Sequence, residues 1–171
     1  MVYKLLSVPS LHEKLMKKIV ELTVRIKSKF CPQVDGMAAT HPLTSGIARL
    51  DELLGGFEQG KVVLLEGDIS ASSLSHLLCV RSQLPTENGG LGSPVVWLDG
   101  GNTFDIYRIT EFSKNLHLNP EQVLRRIHIS RAFTCHQMSS LVLEKLWDAV
   151  KRLESKLVII SDLPNLYTAS D

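Results

Sequence analysis

A chain of 171 residues has the size of one globular domain able to bury a core. Its 19 basic and 18 acidic residues leave a formal net charge of +1, without the basic excess that usually marks a nucleic-acid binder, so charge alone names no partner. Cys31, Cys79 and Cys135 are far apart and form no C-x-x-C, which fits reduced packing residues better than a disulfide frame or a zinc site.

No apolar run is long enough to span a bilayer, and the opening MVYKLLSVPS lacks a signal-peptide core, so a soluble, cytoplasmic protein is expected. Residues 10–30 read as a helix: Leu11, Leu15, Ile19, Leu22, Ile26 and Phe30 recur at three- and four-residue spacing, and Ser10 with Glu13 forms a capping box. The opposite face carries Lys14, Lys17, Lys18, Arg25, Lys27 and Lys29, which is ordinarily a solvated surface; Lys17, Lys18 and Arg25 are the candidate DNA contacts. Residues 31–42 mix Pro, Gly, Ala and Thr without periodicity and read as a linker, dividing the chain into an N-terminal part, 1–42, and a core, 43–171.

The core opens with Leu43-Thr44-Ser45-Gly46, followed by a short helix over 47–54 that Gly55-Gly56 ends. The apolar, β-branched run 61–66 predicts a buried strand, and the pattern of Leu74, Leu77, Leu78 and Arg81 a helix over 72–84. Residues 85–94 are dense in turn formers and predict a surface loop. A second strand is expected over 95–99, a helix over 103–116, and a short helix from the Asn119 cap and Pro120 to Arg126. A third strand over 127–130, a long helix over 136–156 and a fourth strand over 157–160 complete the pattern. Alternation of this kind implies right-handed crossovers and a mainly parallel sheet with helices on both faces.

Gly67-Asp68-Ile69-Ser70-Ala71-Ser72-Ser73-Leu74 stands between strand and helix, where a P-loop belongs. A working loop reads G-x-x-x-x-G-K-[ST], in which backbone N–H groups surround phosphate, Lys neutralises it and the hydroxyl holds Mg²⁺. Gly67 keeps the first position, but Ser72 replaces the second glycine, Ser73 the lysine and Leu74 the hydroxyl, while Asp68 adds a charge that repels anions. Gly67, Ser70, Ser72 and Ser73 are the candidate nucleotide-binding residues of this degenerate loop. Ser72, Ser73 and His76 lack a G-x-S-x-G elbow, so capping explains the serines better than nucleophilic catalysis. Adjacent Cys135 and His136 make poor zinc geometry. Trp97 and Trp147 read as core or interface residues. The Asp99-Gly100-Gly101-Asn102 turn, at a strand's C-terminal end, suits either a small ligand or an ordinary tight turn.

In order along the chain, the run Leu43-Thr44-Ser45-Gly46-Ile47-Ala48-Arg49-Leu50-Asp51-Glu52-Leu53-Leu54-Gly55-Gly56, the run Asn119-Pro120-Glu121-Gln122-Val123-Leu124-Arg125-Arg126-Ile127, and Ser130-Arg131-Ala132-Phe133-Thr134-Cys135-His136-Gln137-Met138 resemble the ATPase core of the RecA/RadA recombinases and their paralogs. The resemblance covers roughly residues 43–166 and implies a RecA-like P-loop NTPase fold, truncated after the Walker B strand and preceded by an N-terminal helix. Where the family has D-[TS]-E-G-T-F, this chain has Asp99-Gly100-Gly101-Asn102-Thr103-Phe104, so Gly101 replaces the glutamate that activates water. After the Walker B strand Ser161 takes the place of the Mg²⁺-organising aspartate, and Asp162 comes one residue late, which in a strand turns a side chain to the other face.

The family's DNA-binding loops follow that strand and cannot be carried over to a chain that stops at Asp171. Neither its small N-terminal DNA-binding module nor its Phe-x-x-Ala tether is recognisable. The resemblance therefore implies a catalytically inactive RecA/RadA-like paralog without ATP or Mg²⁺ as a working cofactor and without catalytic or metal-binding residues. Such a protein is expected to bind a recombinase, another paralog or itself in recombinational DNA repair. Nucleotide binding by backbone and serines, or DNA binding through the basic face, are the alternatives.

Overall fold

The computed structural model describes residues 41–65, 67 and 69–162. In chain order its elements are α1 (Ala48–Leu54), α2 (Ile69–Arg81), a 3-10 turn (Thr86–Asn88), β1 (Val95–Asp99), α3 (Ile106–Asn115), α4 (Pro120–Arg125), β2 (Ile127–Arg131), α5 (Cys135–Ser140), a π turn (Leu141–Lys145), α6 (Leu146–Leu153) and β3 (Leu157–Ser161). The expected helix over 10–30, with Lys17, Lys18 and Arg25, lies outside the described residues.

All five residues of β1 are buried, as a near-continuous apolar run requires when both faces of a sheet are covered. β2 and β3 flank β1 in parallel, in the order β2-β1-β3, with Val95 opposite both Ile127 and Leu157. Side-chain alternation along β1 builds two cores. Val95 and Trp97 pack with Cys79 and Val80 of α2, Ile109 of α3 and Val123 of α4. Val96 and Leu98 pack with Met138, Val142, Leu146 and Val150. The result is the expected mainly parallel sheet with helices on both faces, and Trp97, 1% exposed, is the core residue its neighbours implied.

Local signals hold where the expected caps occur. Asn119 accepts hydrogen bonds from the Glu121 and Gln122 N–H groups with Pro120 at the first helical position, and Gly55 ends α1 at φ +71°. The motif at residues 43–46 is fixed by polar contacts: the Asp51 carboxylate accepts from the Ser45 N–H and hydroxyl (2.7 and 2.8 Å) and from the Gly46 N–H (2.9 Å). Arg81 donates to the Thr44 carbonyl and hydroxyl (2.7 and 2.8 Å). Gly46 combines φ +74° with a Cβ position that would meet the Arg81 guanidinium, so a side chain fits there neither conformationally nor sterically.

Four expectations are corrected. Residues 61–65 form no strand, and Glu66 is outside the described residues. Val62, Val63 and Leu64 are 50–56% exposed, and only Leu65 packs inward, against the Leu43 cluster that also contains Leu157. Apolar composition favours burial, but a strand exists only when its backbone pairs, and this run pairs with no neighbour among the described residues. α2 starts at Ile69 and stops at Arg81, so Ser70, Ser72 and Ser73 belong to the helix; its buried residues are His76, Leu78, Cys79 and Val80.

α3 begins only at Ile106 because the Thr103 and Phe104 N–H groups bond to Asp99, and Asp105 is the cap. The long helix over 136–156 is interrupted by the π turn. Met138, Val142, Leu146 and Val150 recur every four residues, and each such step drifts about 40° around an α-helix. A wider turn reverses the drift and keeps all four on the sheet.

Candidate functional site

The C-terminal ends of β1 and β3 and the start of α2 hold the residues that the sequence singled out. Asp99, 1% exposed, is the last residue of β1. Its carboxylate accepts from the Thr103 N–H (2.8 Å) and hydroxyl (3.2 Å), the Phe104 N–H (3.3 Å) and the Ser161 hydroxyl (3.1 Å). Arg131, its β2 register partner, lies 3.5 Å away through Nε. Burial pushes the carboxyl pKa up, but these hydrogen bonds outweigh it and hold it below the ordinary value of 3.8. Ser161 also accepts from Trp97 Nε1 (3.1 Å) and the Thr103 hydroxyl (2.9 Å), so it ties β1 to β3. The Asp99 turn is thus closed on itself by its own backbone and hydroxyls.

Immediately beyond Ser161, Asp162 adopts φ +56°, turning the chain through the left-handed region. A Cβ placed on Gly101 would collide with the Asp162 carboxylate. No side chain fits at Gly101 unless Asp162 moves.

At α2, Ser73 donates to the Ile69 carbonyl (2.8 Å) and accepts from Arg108 Nη1. Arg108 comes from α3, where it also pairs with Asp105 at 3.5 Å. One turn on, His76 is fully buried between Trp97 and Phe104, with ring centroids 4.8 and 5.8 Å away. Its Nε2 accepts from the Asp105 N–H (2.9 Å), which assigns the proton to Nδ1, where it is donated to the Ser72 carbonyl (2.7 Å). Burial lowers the His76 pKa below 6.5, and the nearby Arg108 charge acts in the same direction. A neutral imidazole spent on two backbone groups is a clasp between α2 and the α3 cap; its bonds go to main chain, not to a serine hydroxyl.

Of the candidate residues, Gly67 and Ser70 are exposed, and Ser72 and Ser73 are half-buried within α2. Asp68 lies outside the described residues. The structure brings Ser72 and Ser73 to His76 and Arg108, and it brings Gly101 to Asp162. Arg108 escaped the sequence reading because it reaches Ser73 across 35 residues of chain, and His76, considered there only beside the serines, has its second partner, Asp105, 29 residues away, with no local spacing to reveal either contact. Among the described residues no group of three His, Cys, Asp or Glu side chains gathers as for a metal ion, and no helix is long and apolar enough to cross a membrane.

A parallel α/β sheet with helices on both faces, a strand-end cluster built on Asp99 and a helix N-terminus beside it define a RecA-like core. The sequence pattern of the family described as Rad51 matches residues 38–170, and the chain belongs to that RecA/RadA-type family. Over 151 residues it is 30% identical to the DNA repair and recombination protein RadA of Aeropyrum pernix, an alignment covering 86% of this chain and 47% of that protein. The chain thus spans about half the length of this relative.

Proposed function

We propose that this chain is a catalytically inactive RecA/RadA-type paralog that acts in recombinational DNA repair as a binding or scaffold protein, contacting an active recombinase or another paralog. The observation that carries the reading is the contact between Gly101 and Asp162: the room of the water-activating glutamate is filled from across the sheet end. Two others support it. Ser73, at the lysine position, is held by Arg108 and the Ile69 carbonyl, and Ser161, at the position of the metal-organising carboxylate, is spent on Asp99, Trp97 and Thr103.

These residues do not fit a magnesium-bound triphosphate, and no step of phosphoryl transfer is derived for them. In this reading residues 43–171 form the core, residues 1–42 a helix and linker, and the protein works in the cytoplasm. Light-scattering titration of the full chain against a RadA-type recombinase tests it: association at micromolar concentration is expected, and its absence, or steady phosphate release from ATP and Mg²⁺, overturns it.

One observation favours a second reading, nucleotide binding without hydrolysis. The Arg108 guanidinium reaches Ser73 and places a positive charge beside the N-terminal half of α2, where a helix favours anions. Calorimetry with ATP separates the two: heat of binding that disappears in Arg108→Gln supports the second, and no heat supports the first. DNA binding through Lys17, Lys18 and Arg25 is a further, sequence-based alternative, with affinity falling steeply with salt as its signature.

A further inference from the structure

Seven of the twelve large apolar side chains exposed among the described residues fall between Ile47 and Ile69. Ile47 precedes α1, Leu53 and Leu54 end it, and α1 buries none of its residues. Val62, Val63 and Leu64 follow, running up to Leu65 at the edge of the Leu43 cluster. Single exposed apolar residues need no explanation, but this density marks a surface that is covered.

The chain outside the described residues arrives at this strip. Leu43 and Phe57 exchange both backbone hydrogen bonds (3.0 and 2.7 Å), and a Cβ at Gly56 would stand 3.0 Å from that of Pro42, two residues beyond Leu54. Upstream, in the helix expected over residues 10–30, Leu11, Leu15, Ile19, Leu22, Ile26 and Phe30 would share an arc of about 100°, an apolar stripe that itself needs cover, with Lys17 opposite and Lys18, Arg25 and Lys29 along its edge. Residues 31–40 connect stripe and strip, a tether that reaches at most about 35 Å. So short a link holds the two at an effective concentration on the order of millimolar, so even a weak apolar contact forms within one chain.

We propose that the apolar stripe of residues 11–30 is seated on the exposed strip of residues 47–69 of the same chain, leaving Lys14, Lys17 and Lys27 outward. This goes beyond the proposed function, since it concerns how the chain covers its own surface whatever partner it serves. Hydrogen–deuterium exchange of the full chain tests it, comparing wild type with the double variant Leu53→Ser/Val63→Ser. Amides of residues 11–30 are expected to exchange at least tenfold faster in the variant, while those of β1 stay unchanged. No acceleration at 11–30 overturns the proposal.

A second measurement stands apart from the variant's folding. Cysteines introduced by Ile19→Cys and Leu53→Cys are oxidised in the full chain and the linked peptides mapped. A link within one chain supports the proposal; links only between two chains, or none, overturn it.

Discussion

At the scale of single residues, the strand ends are organised by groups that satisfy one another. Gly101 and Asp162 are the clearest case, because the space of one side chain is the seat of another. Gly101→Glu, which writes the family's glutamate back into the chain, is expected to overpack this contact and destabilise the fold by about 1–3 kcal/mol. Urea unfolding measures it, and Gly101→Glu combined with Asp162→Gly should recover part of the loss. A single variant as stable as wild type would show that the two positions do not compete. Asp99 differs in kind: five groups converge on one buried carboxylate, so its charge is compensated by built-in donors.

At the scale of elements, caps and phase decide where helices start and how they pack. Asn119 closes two N–H groups of α4, whose Val123 sits in the core against β1 and whose end leads directly into β2. Asn119→Ala should therefore cost about 1 kcal/mol, read as a lower thermal midpoint; no change would mean that Pro120 and packing alone define the start. The π turn shows the converse case. A strict four-residue repeat cannot stay on one face of an ideal α-helix, and Leu141–Lys145 absorbs the mismatch. α1 has a Gly55 C-cap and polar pins through Asp51 but no buried residue, so its helicity owes little to packing against the described core.

For the whole molecule, His76, Asp51, Asp99 and Cys79 set the pH dependence of stability. His76 has a folded pKa below 6.5, so the unfolded chain takes up its proton first, and stability present above pH 6.5 falls as pH drops toward the folded value. Asp51 and Asp99 are also lowered, from 3.8, with burial opposing and hydrogen bonds from Ser45 and Thr103 prevailing. Their stabilisation is present above 3.8 and is lost as pH falls through their folded values. The urea midpoint should therefore hold level from about pH 7 to 8, decline toward about pH 5, and decline again in acid; above the ordinary thiol pKa of 9.0 it should fall as well, because burial keeps Cys79 protonated only in the folded chain. His76→Gln should flatten the first decline, and an equal slope in that variant would remove His76 as its source.

Periodicity, turn formers and caps in the sequence determined the layered α/β core, the buried β1, and the beginnings of α4 and β2, because those signals act within one or two turns of chain. Tertiary structure alone decided that residues 61–65 leave the sheet, since strand formation depends on a partner edge rather than on composition. It alone brought Asp162 to Gly101, Arg108 to Ser73 and His76 to Asp105, because contacts between side chains and backbone far apart in the chain have no period to read.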